Sequence, residues 1–122
     1  MCGFVGVLDP QRTRAAEATA SMLVDMSLPM VPRGPDAGDV WVDAACGIGL
    51  AHRRLSILDL SPLGAQPMHS ADGRWVIAYN GEIYNHLEVA AALSADGVVF
   101  RGHSDTEILI EAISRWGVDD TL

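Results

Sequence analysis

The tightest constraint on the fold is a run of residues that refuse regular structure. Pro29, Pro32, Gly34 and Pro35 fall close together. Proline fixes its own φ and donates no backbone hydrogen bond, so a helix interior and a central strand are both barred here. The segment PRGPDAG must therefore be a shaped loop. It separates a short leading part of the chain from a longer trailing part. In the leading part, Gly3 to Leu8 (GFVGVL) reads as a buried strand that begins almost at the terminus and ends at Asp9-Pro10. Thr13 to Ser27 carries apolar residues at Ala16, Ala20, Leu23 and Val24, the spacing of a helix, with Thr13 placed to cap it.

Beyond the loop, Val40 to Val42 and Gly47 to Ala51 predict two strands joined by a turn. HRRLSILDL extends the second strand and runs into a polar loop with Pro62, Gly64 and Pro67. Asp72-Gly73 is a hairpin-turn signal, and Arg74 to Tyr79 (RWVIAY) predicts a strong strand that delivers Asn80-Gly81 at its end. Asn85 with Glu88 resembles a capping pair for a helix to about Ala95, stopped by Gly97. Ser104 with Glu107 is a better capping box. Its helix has an apolar face at Ile108, Leu109, Ala112, Ile113 and Trp116. The order is strand, helix, several strands, then two helices. That order favours an α+β domain, sheets face to face and helices outside. With 122 residues and no repeat or linker, one domain is expected.

About half of the residues are hydrophobic, and they are scattered, so a core is available. No apolar run approaches the ~20 residues of a membrane helix. No basic patch precedes a greasy stretch, so a secretory signal is not expected. The reading is of a soluble, cytoplasmic protein without membrane contact. The net charge is −8 and every basic residue is Arg. An acidic chain without a basic stripe is a poor partner for nucleic acid. Cys2 and Cys46 are too few for a disulfide framework. There is no CxxC pair, and His52, His69, His86 and His103 are too dispersed for a local zinc signature, so no metal is expected.

The chemistry centres on Cys2. Methionine aminopeptidases remove Met1 when the next side chain is small. Removal would leave one residue bearing both a thiol and a free α-amine, two groups that titrate within reach of neutrality. The amine can then act as general base for the thiol and later protonate a leaving group. Attack on an amide creates an oxyanion, which needs donors already in place. Asn80-Gly81 offers a side-chain amide and an unshielded backbone N–H. Arg54 could grip an α-carboxylate through two parallel hydrogen bonds, and Asp105 could hold an α-ammonium. Each has a plainer reading by itself: a small buried Cys, a turn, an exposed Arg, and an Asp that complements a helix N-terminus.

Together these residues resemble a family. MCGFVGV, RGPD, HRRLSILDLSPLGAQPM, YNGEIYN and HSDTE occur in the order and approximate spacing of the class II, N-terminal-nucleophile glutamine amidotransferase domain of asparagine synthetases. The resemblance covers nearly the whole chain. NGEIYN and RRLSILDLSPLGAQPM are particular to the asparagine-synthetase branch.

The resemblance implies a four-layer αββα sandwich and a role for each matching residue. Cys2 would be the nucleophile, with its α-amine as base. Asn80 and the N–H of Gly81 would form the oxyanion hole. Arg54 would bind the glutamine α-carboxylate, with the backbone of Leu55, Ser56, Ile57 and Leu58 lining the same pocket. Glu82 and Asp105 would complete it, Asp105 facing the ammonium. Glutamine would be hydrolysed through a thioester, and the ammonia would pass to a synthetase domain, in cis or in trans. ATP and Mg there would make the aspartyl-adenylate that ammonia attacks; the glutaminase domain itself needs no cofactor.

Two features depart from the family pattern. Pro32 stands where the family loop usually has His, which could set that loop differently, and Arg33 and Asp36 are best read as shaping its turn. The family domain is also longer than this chain and normally continues past Trp116-Gly117. Residues 1–122 are thus expected to be a partial domain with unpaired sheet edges, prone to self-association as a homo-oligomer or aggregate.

Two other readings compete with an active glutaminase: a weak or inactive glutamine-binding scaffold of the same family, and an unrelated small protein with a redox-active Cys2. Cys46 is read as a packing residue, His52 as a structural neighbour of Arg54, and Trp41, Trp75 and Trp116 as fillers of core or domain contacts.

Overall fold

A computed structural model describes residues 2–56 and 61–122. They form two compact units, and the chain passes between them more than once. Both α and β elements are present, as the order of sequence signals predicts.

The first unit contains, of the described residues, 2–56, 65–67 and 78–80. Three strands, β1 (Gly3–Leu8), β2 (Ala37–Asp43) and β3 (Ile48–Arg54), form an antiparallel sheet in the order β1-β3-β2. The register sets Gly3 opposite Arg53 and Leu8 opposite Ile48 on one side of β3, and Ala37 opposite Arg54 and Asp43 opposite Ile48 on the other. Side chains alternate between faces along each strand. One face therefore carries Val5, Val7, Gly49, Ala51, Val40 and Val42. The helix α1 (Ala16–Ser27) lies against it: a Cβ on Gly49 would come within 2.6 Å of Leu23 Cδ1 and 3.2 Å of Thr19 Cγ2. The helix comes this close because the strand has no side chain at that position.

The buried stripe of α1 is Thr19, Leu23 and Ser27, at strict spacings of four. The predicted stripe of Ala16, Ala20, Leu23 and Val24 is thus corrected: only Leu23 is fully buried, and Val24 is exposed. Small polar residues can sit inward here because their hydroxyls are used locally, Thr19 Oγ1 donating to Ala15 O and Ser27 Oγ to Val24 O. Thr13 is not the cap either. Ala15 takes that position without a side-chain hydrogen bond, while Thr13 donates its N–H and hydroxyl to Asp9 Oδ2.

The PRGPDAG segment is a loop, as predicted. A 3₁₀ turn at Leu28–Met30 leads into it, and Gly34 N–H donates to Met30 O. A Cβ on Gly34 would collide with the backbone of Arg53, so only glycine lets the loop cross β3 at this point. Asp36 then ties the loop to the chain beyond β3. Its N–H donates to Arg54 O (3.0 Å) and its Oδ2 accepts from Ser56 N (2.7 Å).

The second unit contains, of the described residues, 61–64, 68–77 and 81–122. A two-stranded hairpin pairs β4 (Met68–His69) with β5 (Val76–Ile77), and Gly73 takes a φ of 72° in the turn. Two helices, α2 (His86–Ala95) and α3 (Asp105–Trp116), enclose a core of Leu93, Ile108 and Ala112, with Val89, Ala90, Val98, Phe100 and Trp116 packed around it. A last turn, α4 (Val118–Thr121), follows.

Four expectations change here. The strand predicted over Arg74 to Tyr79 is only two residues long, because its partner segment is bounded by Pro67 on one side and the turn at Ser70 on the other. Asn85 does cap α2 by position, but its side chain makes no capping bond. Ser104 caps α3, accepting from Glu107 N at 3.1 Å, yet the Glu107 carboxylate does not reach back to Ser104. It accepts instead from Arg101 N (2.7 Å) and Gly102 N (2.8 Å). The buried arc of α3 is wider than predicted. It includes Ile110 and the polar Asp105, Thr106, Glu107 and Glu111, while Leu109 and Ile113 are half-buried.

Candidate active site

The antiparallel pairing of β1 with β3 brings the first described residue to the far end of β3. Cys2 Sγ lies 3.3 Å from Leu55 N, whose N–H it accepts, and its thiol points to Leu55 O at 3.6 Å. The N–H and C=O of a single residue thus hold the sulfur in place, and Cys2 stays half-buried. The other cysteine is placed differently. Cys46 sits exposed in the β2–β3 turn and not in packing, which corrects the earlier expectation. The Asp43 carboxylate, hydrogen-bonded to it, pushes the Cys46 thiol up and makes it a poorer thiolate.

Arg54 ends β3, half-buried, next to Leu55 and Ser56, so its position in the chain is set by the same pairing that places Cys2. Ile57 and Leu58 lie outside the described residues. Asn80 belongs to the first unit and Gly81 to the second; both are exposed and sit in irregular backbone after β5. In the second unit, Glu82 is exposed, and Asp105, buried at the first turn of α3, accepts from Ile83 N through Oδ2 at 2.9 Å. Asp105 is thereby tied to the segment that begins with Gly81 and Glu82. Arg101 and Gly102, which precede α3, are themselves held by the buried Glu107, and Arg101 also donates to His69 O.

Two further residues of the first unit bear on this region: His52, read from the sequence only as a structural neighbour of Arg54, and Gln66, which sequence reasoning passed over. His52 is 1% exposed and reaches Tyr79 O through Nε2 at 3.2 Å. A carbonyl can only accept, so Nε2 carries the proton and Nδ1 is the bare nitrogen. Nδ1 is buried and has no hydrogen-bond partner among the described residues. Burial pushes the His52 imidazole below its ordinary range; the Tyr79 carbonyl opposes this, and the Arg54 charge adds to it. Gln66, also buried, accepts from Tyr79 N through Oε1 at 2.6 Å. Tyr79 immediately precedes Asn80. The run HRRL contained the signal for His52, a histidine between apolar strand residues. Nothing in the sequence pointed to Gln66.

Among the described residues, no group of three or more His, Cys, Asp or Glu is arranged to hold a metal ion, and no helix is long and apolar enough to cross a membrane.

The family profile of the glutamine amidotransferase domain matches residues 1–122. The chain is 39% identical over 110 residues, 90% of its length, to asparagine synthetase [glutamine-hydrolyzing] 1 of Bacillus subtilis (strain 168). It is 39% identical over 117 residues, 96% of its length, to asparagine synthetase B [glutamine-hydrolyzing] of Escherichia coli (strain K12). It is 38% identical over 125 aligned residues, 97% of its length, to amidase chry2 of Gibberella zeae. The chain spans only 17–20% of the length of these relatives. The chain belongs to the glutamine amidotransferase domain family.

Proposed function

We propose that this chain hydrolyses the side-chain amide of glutamine with Cys2 as nucleophile. The observation that supports this best is the seat of the Cys2 sulfur between the N–H and C=O of Leu55, in a chain whose family is glutamine amidotransferase. With Met1 removed, the α-amine of Cys2 takes the thiol proton. Sulfur attacks the amide carbon, and Asn80 with the N–H of Gly81 stabilises the oxyanion. The amine returns the proton to the leaving nitrogen, ammonia departs, and a glutamyl thioester remains. Water, deprotonated by the same amine, hydrolyses the thioester to glutamate. The reading assigns Arg54 to the α-carboxylate, Asp105 to the α-ammonium, and Glu82 with the backbone of residues 55–58 to the rest of the amino-acid head. It also places the chain in the four-layer αββα architecture.

The ammonia would feed asparagine synthesis from aspartate in a synthetase domain that uses ATP and magnesium. Two of the relatives are named as glutamine-hydrolysing asparagine synthetases. The test is covalent labelling with a glutamine-analogue electrophile and mapping of the modified residue. Labelling of Cys2 that free glutamine blocks supports the reading. Equal labelling of Cys2 and Cys46 without protection by glutamine rejects it.

A further inference from the structure

The Tyr79 peptide is held in an unusual way. A residue at the end of a strand normally has its N–H and C=O paired with a neighbouring strand or with water. Here both are taken by buried side chains from different parts of the first unit: Gln66 Oε1 on the N–H at 2.6 Å, and His52 Nε2 on the C=O at 3.2 Å. The other ring nitrogen of His52, Nδ1, is buried without a hydrogen-bond partner among the described residues. A buried imidazole that leaves one nitrogen unsatisfied costs stability that an apolar side chain would not. Its one bond is to the carbonyl next to Asn80.

We propose that His52 and Gln66 are positioning residues: they clamp the Tyr79 peptide from both sides and so aim the Asn80 amide at the oxyanion. This rests on the reading of Asn80 as an oxyanion donor. The chemistry suits the task. Oxyanion donors act by being fixed before charge develops, and Asn80 itself lies in exposed, irregular backbone with no strand to fix it. Small displacements of reacting groups are costly; about 1 Å can lose on the order of 10² in rate. His52 must stay neutral with its proton on Nε2. Its burial and the nearby Arg54 both oppose a second proton.

The test compares two reactions of Cys2 in the same protein. Glutamine hydrolysis passes through an oxyanion, whereas alkylation by iodoacetamide displaces iodide and forms none. His52→Leu and Gln66→Leu should each lower kcat on the order of 10- to 100-fold. KM and the alkylation rate of Cys2, mapped apart from Cys46, should stay within about threefold, well below the cost of losing the clamp. His52→Gln keeps an N–H donor and Gln66→Glu keeps an acceptor, so both should restore kcat to within about threefold of the parent.

Normal kcat in both leucine variants overturns the proposal. So does a loss of kcat matched by an equal loss of alkylation, or one that the conservative variants do not recover. Amide hydrogen exchange gives a readout independent of turnover: Tyr79 N–H should be protected in the parent and at least ~10-fold faster in Gln66→Leu, as expected when a buried hydrogen bond is lost. An unprotected Tyr79 amide in the parent overturns the clamp. Undiminished hydrolysis by Cys2→Ala, or a parent that does not hydrolyse glutamine, overturns the glutaminase reading instead.

Discussion

In the first unit, Gly49 and Ala51 of β3 bring the sheet against Leu23 of α1, and the contact is apolar and tight. In the second, an apolar core around Leu93, Ile108 and Ala112 is joined by buried carboxylates that hold the backbone. Glu107, 2% exposed, binds two backbone N–H groups and Arg101, while Glu111 accepts from Ala71 N at 2.7 Å. The difference tracks what each unit must hold. A sheet with a helix on one face is secured by packing along its length. The second unit has long irregular stretches between short elements, and buried side chains must supply the partners that a ladder would otherwise give. The same device appears in the first unit at Tyr79, where the chain is irregular beside the candidate site.

The largest expected effect lies in the chemistry. Cys2→Ala should abolish hydrolysis, because nothing replaces the sulfur, and Cys46→Ala should leave it nearly unchanged. Asn80→Ala should lower kcat by on the order of 10²–10³, the cost of one oxyanion donor, with a smaller change in KM. Steady-state kinetics on the three variants separate these outcomes. A large rise in KM with normal kcat for Asn80→Ala would make that residue a ground-state contact.

Stability should then divide along the contrast between the units. Leu23→Ala leaves a cavity under the sheet and should cost about 2–5 kcal/mol. Glu107→Ala removes the acceptor for Arg101 N and Gly102 N and should cost on the order of 3 kcal/mol, from stranded buried donors at about 1–3 kcal/mol each. Glu107→Gln keeps one acceptor oxygen and should recover part of the loss. Denaturant unfolding of the three variants checks this. Full recovery by Glu107→Gln would mean that charge adds nothing to this network.

Much of this was legible in the sequence, and the failures have physical causes. The loop at PRGPDAG, the extent of the strand at Gly3–Leu8, the Asp72-Gly73 turn and the Ser104 cap were readable because proline, glycine and capping residues act locally; the expected burial of that strand was not met, since Phe4 and Leu8 are exposed. The Thr13 cap failed because the helix starts only at Ala16, and Thr13 instead donates its N–H and hydroxyl to Asp9 Oδ2. The Arg74–Tyr79 strand failed because apolar alternation cannot report how long a partner strand is. Cys2, Arg54, Asn80, Gly81, Glu82 and Asp105 were named from a family resemblance. Their spacing could not reveal that Leu55 holds the Cys2 sulfur, or that His52 and Gln66 hold Tyr79. Those contacts join residues 53, 27 and 13 positions apart, and no local pattern encodes them.

A smaller effect is expected in pH. Because burial lowers the pKa of folded His52, His52 is neutral in both folded and unfolded chains well above pH 6.5, and its contribution there is level. Below 6.5 the unfolded chain takes up a proton that the folded one resists, so stability falls as pH falls through the folded pKa. Asp72 acts in a lower window. Hydrogen bonds from Ser70, Arg74 and Ser114 hold its carboxyl below the usual 3.8, so its contribution is lost only as pH drops beneath that value. Thermal unfolding from pH 8 down to pH 5, a window on the order of the unperturbed histidine range, should therefore show a falling limb that His52→Gln flattens. A limb that persists in this variant would assign it to other groups.

The smallest effect on folding, and one with a separate readout, concerns the sheet face away from α1. Alternation puts Phe4, Leu8, Ile48, Leu50 and Trp41 on that face, and Phe4, Leu8 and Ile48 are 51%, 68% and 37% exposed. Their apolar surface is already in water, so replacing it changes folding little. Phe4→Ser and Leu8→Ser should each shift stability by less than about 0.5 kcal/mol, the range of ordinary surface substitutions. Association is another matter. An apolar face on a three-stranded sheet, with β1 and β2 each paired on one side among the described residues, offers both a greasy surface and strand edges to a second chain. Sedimentation of the parent should show self-association that the double variant Phe4→Ser/Leu8→Ser reduces. The contrast with the second unit is tested by Leu87→Ser, an exposed apolar residue on α2, which has no such sheet face and should leave association unchanged. If Leu87→Ser reduces association as much as the double variant does, the sticky surface belongs to the helical unit and the open sheet face is inert.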